Sequence, residues 1–173
     1  MFWFTADEHY NHRKIIQYSN RPFKSINEMN ETIIENNNKV VSTRDTVIHA
    51  GDFTLLKDKE QIYNSFINRL NGTHVFLKGS HDYWLKSSPN ALQIWERKMN
   101  GCYIVVCHYA MRTWARSHYN SFQLYGHSHG KLKPMGKQHD IGVDNNKFYP
   151  VSFKNIVEIM KKRPNNKNFI RRA

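Results

Sequence analysis

The sequence predicts an α/β fold, and three observations carry that reading. Short apolar runs alternate with amphipathic segments along the whole chain, as strands and helices alternate in α/β proteins. Helix-start signals stand at Ser25 and Ser152, and Asn71-Gly72 is a helix stop. Most of the short apolar runs break off at a cluster of polar residues.

The elements follow in order. Met1–Thr5 is a first strand that ends at Asp7. Ser25-Ile26-Asn27-Glu28 has the spacing of a capping box, in which the serine side chain and the acid three residues on satisfy free amides at a helix start. Met29, Ile33, Val40 and Val41 then recur at roughly helical intervals, so a helix is expected to about Val41. Thr46–His49 is a second strand ending at Gly51-Asp52. Ile62, Phe66, Ile67 and Leu70 mark a second helix, stopped by Asn71-Gly72. His74–Lys78 runs into Gly79-Ser80-His81-Asp82, Tyr103–Cys107 into His108, and Phe122–Tyr125 into Gly126-His127-Ser128-His129. Ser152 caps a last helix through Lys161.

With 173 residues and no long Gly/Ser/Pro linker, the chain is read as one domain, residues 1–162, followed by a basic tail, residues 163–173. No apolar stretch approaches the roughly 20 residues that span a bilayer, and the N-terminus is not a signal-peptide pattern. A soluble, cytoplasmic protein without a membrane partner is expected; its oligomeric state is not legible. Cys102 and Cys107 lie in one apolar run; five residues of strand hold them roughly 16 Å apart, too far for a disulfide. They read as small buried residues.

The formal charge of +12 is uneven: from Lys131 onward 11 Lys/Arg face only Asp140, Asp144 and Glu158. Such a field draws anions and suits a nucleotide or nucleic-acid ligand, and equally a solvated tail that keeps the protein dispersed.

Ligands of α/β sheets bind outside the carboxyl ends of strands. The polar clusters at those ends are Asp7-Glu8-His9, Gly51-Asp52, Ser80-His81-Asp82, His108 and His127-Ser128-His129. Imidazole with carboxylate suits Mn, Fe, Ni or Zn, whereas Ca and Mg favour oxygen-only shells. Each cluster alone is weak, since Asp-x-His arises by chance; the ordered set, each after an apolar run, is hard to produce by accident.

That set resembles the calcineurin-like metallophosphoesterases, whose pattern is Asp-x-His, Gly-Asp, Gly-Asn-His-Asp/Glu, a His after a strand, and Gly-His-x-His. The likeness spans residues 7 to 129 in order. Arg21-Pro22-Phe23, the Asn-Gly turn and Gly142-Val143-Asp144 extend it toward the short phage and bacterial members, which would place a phage-encoded chain in a host cytoplasm.

The resemblance implies a four-layer α/β/β/α sandwich and two divalent cations, manganese foremost, with Fe, Ni or Zn as substitutes. It implies that Asp7, His9, Asp52 and His129 hold one cation. Asp52 would bridge to a second, held also by His108, His127 and the residue at 80. A hydroxide bridging the two cations would attack phosphorus. His81 would serve the leaving group, with Asp82 either orienting its ring or acting as a turn residue. Asn11, His12 and Arg13 would reach the substrate phosphate, or form a solvated loop.

Ser80 departs from the family asparagine. Its hydroxyl sits closer to the backbone than an asparagine carbonyl, so weaker binding of the second cation is expected. Natural divergence with a water filling in, a substitution introduced to trap a ligand, and lost catalysis all remain open. Phe53-Thr54 after Gly51-Asp52 lacks the arginine of the family's phosphoprotein phosphatases. A phosphodiesterase acting on a nucleotide, cyclic nucleotide or nucleic-acid ester is the first expectation. A phosphomonoesterase, or a catalytically weakened nucleic-acid-binding module, is the alternative.

Overall fold

The computed structural model describes residues 1–85 and 91–167. In chain order the elements are β1 (Phe2–Thr5), α1 (Ile15–Tyr18), α2 (Ile26–Val40), β2 (Thr46–His49), α3 (Lys59–Ser65), β3 (Thr73–Phe76), β4 (Ile94–Met99), β5 (Cys102–Cys107), β6 (Phe122–Tyr125), β7 (Gln138–Asp140), β8 (Val151–Ser152) and α4 (Phe153–Lys161). They build two four-stranded sheets, ordered β3-β2-β1-β8 and β4-β5-β6-β7. In each, three strands run parallel and one edge strand, β8 or β4, runs against its neighbour.

The mixed α/β expectation and the pair of packed sheets are therefore both present. Phe4 and Ile48 of the first sheet share one buried cluster with Ile104, Val106 and Leu124 of the second, so the sheets meet face to face. Ile156 and Met160 of α4 enter the same cluster. Truncating a wholly buried member such as Leu124 to alanine would cost about 2–5 kcal/mol. A second cluster, including Met29, Ile33, Ile62 and Phe66, packs α2 and α3 over the other face of the first sheet.

Helix starts follow the sequence signals: the Ser25 side chain accepts from the Glu28 amide, and that of Ser152 from the Asn155 amide. The second expected helix differs, because α3 ends at Ser65 and Ile67–Arg69 forms a separate 3-10 turn. Phe66, with φ −133° and ψ −63°, breaks the helical path between them. Three strands escaped the sequence reading. β4 is an edge strand reading Ile-Trp-Glu-Arg-Lys-Met, β7 is the polar tripeptide Gln-His-Asp, and β8 has two residues.

Cys102 and Cys107 are free, at opposite ends of β5. No helix among the described residues is long and apolar enough to cross a membrane. Beyond α4, Asn166 is buried, its amide donating to Ser117 and its side chain to the Arg112 carbonyl. Arg171 and Arg172, at the basic C-terminus, lie outside the described residues.

Candidate metal centre

Parallel β1 and β2 end together, and the loops that leave them are bonded to each other: Asp7 N donates to Gly51 O, His9 N to Asp52 O and Tyr10 N to Phe53 O, at 2.8–3.0 Å. The loop holding Gly79 joins from β3, and there is no room for a side chain at that crossing. A Cβ on Gly79 would stand 2.2 Å from Asp52 Oδ1, and one on Gly51 2.6 Å from the Gly79 backbone. Asp7, His9, Asp52, His127 and His129 all have φ between 47° and 67°. Left-handed backbone at non-glycine residues costs energy and persists only where surrounding bonds enforce it. Here the cross-loop bonds do so.

This backbone gathers two sets of side chains. Asp7, His9 and His129 bring ligand atoms within 4.8 Å of one another, and so do Asp52, His108 and His127. The sets abut at one atom. Asp52 Oδ2 lies 3.7 Å from His9 Nε2 and 3.3 Å from His108 Nε2. Ser80 reaches the same carboxylate, its Oγ donating to Oδ2 at 3.0 Å. The His81 amide donates to Oδ1 at 2.8 Å.

The proton positions follow from the acceptors. His108 Nδ1 faces the Ala50 carbonyl at 2.9 Å, and a carbonyl only accepts, so Nδ1 carries the proton and Nε2 faces Asp52. His129 donates likewise from Nδ1 to Asp144 Oδ2 at 2.7 Å. Asp7 Oδ2, His9 Nε2 and His108 Nε2 are buried without a hydrogen-bond partner. Orphaned polar atoms are costly in a folded core, and such lone-pair donors, two in the first set and one in the second, fit bound cations.

The electrostatics agree. Burial pushes the Asp7 carboxyl up to about 7, although His129 and His108 pull against it. Burial pulls His9 down to about 2, against the pull of Asp52. Burial would raise Asp52, but the His108 imidazole 3.3 Å away and the His81 amide outweigh it and hold Asp52 below the carboxylate range. Burial would lower His129, but Asp144 and Asp7 outweigh it and raise it. Without a cation, one buried carboxyl favours its proton and one imidazole its neutral form, while its neighbours share the charge.

Of the other expected residues, His12 comes to the site: its Nδ1 lies 3.2 Å from His9 Nδ1 and its ring 6.2 Å from that of His81. His81 is at the mouth, its side chain 41% exposed and its Nε2 4.0 Å from Asp52 Oδ2. Asn11 and Arg13 are exposed, and Arg13 lines a separate cleft with Lys24 and Ser25.

The dyad reading of Asp82 requires correction. Asp82 is buried, with Oδ2 accepting from the amides of Asp52 and Gly79 and Oδ1 from Phe53 N and Trp84 Nε1. Both oxygens are occupied by groups other than the His81 ring. Asp82 clamps the β3 loop to the Asp52 loop, which is the turn role the sequence also allowed.

Two further arrangements support the site without facing its centre. The Arg21 side chain is wholly buried. It grips both oxygens of Asp144 and donates to the backbone carbonyls of Asp7 and Glu8 at 2.6 and 2.9 Å. Glu8 Oε1 meets His49 Nδ1 at 2.7 Å, and His49 Nε2 meets His74 Nδ1 at 2.9 Å. The only sequence signals for the first were the Arg21-Pro22-Phe23 and Gly142-Val143-Asp144 likenesses, which named no role.

The calcineurin-like phosphoesterase family model matches residues 1–167. The chain belongs to the calcineurin-like phosphoesterase family. An uncharacterized protein of Methanocaldococcus jannaschii, MJ1445, is 31% identical over 164 residues, covering 91% of this chain and 89% of that protein. Among solved structures, protein AQ665 of Aquifex aeolicus, of unknown function, superimposes with a TM-score of 0.70 at 22% identity, over 92% of this chain and 98% of that one. That likeness supports the fold. Calcineurin-like phosphoesterases hydrolyse phosphate esters and typically bind divalent metals, and this member carries two candidate ligand sets.

Proposed function

We propose that this phosphoesterase is a binuclear-metal phosphodiesterase acting on a nucleotide, cyclic nucleotide or nucleic-acid phosphate ester. The observation that carries the reading is the position of Asp52 Oδ2 between His9 Nε2 and His108 Nε2, where one carboxylate can serve both ligand sets. Asp7, His9 and His129 would hold one cation, His108 and His127 the other, with Asp52 shared and Ser80 beside it. When bound, the pair would acidify a water molecule and neutralise charge on the phosphoryl oxygens.

The chain's own groups do the rest. His108 and His129, fixed through Nδ1 by Ala50 O and Asp144, present Nε2 inward with no rotation needed. Asp82 and Gly79 keep Asp52 in register with the β3 loop. His81, exposed at the mouth, is free to pass a proton to the departing oxygen, while His12 beside it meets the phosphate.

The test is hydrolysis by metal-stripped protein given graded Mn, with bis-p-nitrophenyl phosphate set against p-nitrophenyl phosphate, and bound metal counted by mass spectrometry. Two metals per chain and turnover of the diester are expected. Turnover of the monoester alone would make it a phosphomonoesterase, and turnover that ignores metal removal would sink the binuclear reading.

A further inference from the structure

Between Glu96 and Asp140 the sequence contains no Asp or Glu, and after Glu158 it contains none again. The fold brings these stretches to one face. Because β5, β6 and β7 run parallel, the connections 108–121 and 126–137 must each return from the site end of the sheet to its opposite end. Outward-facing side chains pin them to the sheet's outer surface. Gln123 holds the Tyr109 carbonyl and the Met111 amide, Gln138 the Met111 carbonyl, and Tyr125 donates to the Leu132 carbonyl. Through Asn166, bonded to Arg112 and Ser117, the basic segment after α4 docks beside them.

The result is an outer face on which Arg112, Arg116, Lys131, Lys133 and Lys167 are exposed. Among the described residues no carboxylate pairs with Arg116, Lys131 or Lys133. The neighbouring acids are occupied. Asp140 is buried and accepts from Ser128 Oγ and from the amides of Gly130 and Gly142. Glu96, on the edge strand β4, accepts from the Tyr103 hydroxyl, and the Arg116 guanidinium lies over that ring at 5.1 Å. Two flat rings are exposed on the same connection, Tyr109 at 48% and Tyr119, beside the His118 ring, at 68%. Tyr109 also touches the rings of His108 and His127, each at 4.8 Å, so the face begins at the rim of the metal centre.

We propose that this face docks single-stranded nucleic acid and leads the strand to the metal centre past Tyr109. Positive charge spread along two connections matches the repeating charge of a phosphate backbone. Exposed rings between the charges offer stacking that unpaired bases supply and a duplex or a lipid headgroup does not. That the docked strand is also cleaved rests on the diesterase reading; the docking does not.

The experiment is fluorescence anisotropy of a labelled oligothymidylate titrated with the full chain in chelator, at several salt concentrations. Reversing two charges, Lys131→Glu with Lys133→Glu, is expected to weaken binding at least ~10-fold and to make the log–log salt slope shallower by about 1.4, at ~0.7 per phosphate contact. Tyr119→Ala is expected to weaken it about 5-fold or more without altering that slope. Thermal unfolding midpoints check that both variants fold. Equal affinity in wild type and variants, or wild type that prefers duplex DNA or anionic vesicles, would overturn the proposal. Turnover of bis-p-nitrophenyl phosphate by the wild type reads the diesterase separately, so either idea can fail alone.

Discussion

The Nδ1 of His129 lies 2.7 Å from Asp144 Oδ2, and that carboxylate is itself gripped by Arg21 from 123 residues earlier in the chain. The imidazole is thereby held in the tautomer that leaves Nε2 unprotonated toward Asp7 and His9. Replacing Asp144→Asn removes the charge that fixes this tautomer. Outer-shell partners of this kind typically contribute 10–100-fold to metal affinity. Calorimetric titration of Mn into the stripped variant is expected to register a loss of about that size; unchanged affinity would reduce Asp144 to a scaffold residue.

Arg21 tests the same network from the stability side. Its guanidinium is buried, and its N–H groups reach both oxygens of Asp144 and two loop carbonyls. Arg21→Met would leave Asp144 charged and without its cation in a dry setting, a change that costs about 3–5 kcal/mol. Urea unfolding should report it. Arg21→Lys is not expected to restore stability, because one ammonium cannot span that forked set of acceptors.

These partners mark where sequence reading stops. The gathering of Asp7, His9, Asp52, His108, His127 and His129 into candidate ligand groups was legible because imidazoles and carboxylates stand directly after apolar runs, and their convergence follows from parallel strand ends. The burial of Arg21 was not legible, since an arginine shows no pattern and its partner is remote in sequence. Asp82 misled for a related reason. Beside His81 in sequence, it turns inward because four amides and the Trp84 indole nitrogen compete successfully for its oxygens. β4 was missed because an edge strand with one solvated face can carry charge at half of its positions, and β7 because its Gln138 and Asp140 are buried by hydrogen bonding rather than by apolarity.

The Glu8–His49–His74 chain predicts a pH dependence of stability. Burial, aided by His49, pulls His74 down to about 3. The folded state therefore keeps His74 neutral, while the unfolded chain protonates it below about 6.5. Where the unfolded state binds more protons, stability rises with pH. The contribution of His74 is thus complete above about 6.5, declines as pH falls from there toward 3, and has a slope of at most about 1.4 kcal/mol per pH unit. Urea unfolding across that window should give a shallower profile for His74→Asn than for wild type. Parallel profiles would mean that His74 is as solvated as an ordinary histidine.

His81 and Asp82 separate by leaving group. Proton delivery matters for a poor leaving alcohol and little for p-nitrophenolate, which departs unaided. His81→Gln is expected to lower kcat about 10²–10⁴-fold on an alkyl or ribose ester and far less on bis-p-nitrophenyl phosphate. Asp82→Asn should instead lower the unfolding midpoint and affect both substrates alike, since its oxygens bind the loops and not the imidazole. A leaving-group dependence in the Asp82 variant as steep as in the His81 variant would revive the dyad.

Ser80 stands where the resemblance read from the sequence leads one to expect asparagine. Its hydroxyl donates to Asp52 Oδ2 at 3.0 Å and approaches Oδ1 at 3.3 Å, so it spends its proton on the carboxylate that both ligand sets would share. A short arm aimed at Asp52 adds a donor where a cation wants a lone pair. An asparagine carbonyl, on a longer arm, supplies that lone pair without a competing proton on the same atom. Ser80→Asn is therefore expected to tighten the weaker of two Mn sites about 10-fold, or ~1.4 kcal/mol, and to raise turnover at limiting metal. Calorimetry with the stripped protein measures the affinity without reference to catalysis. Two isotherms that superimpose would show that the hydroxyl, or a water behind it, already completes the second set.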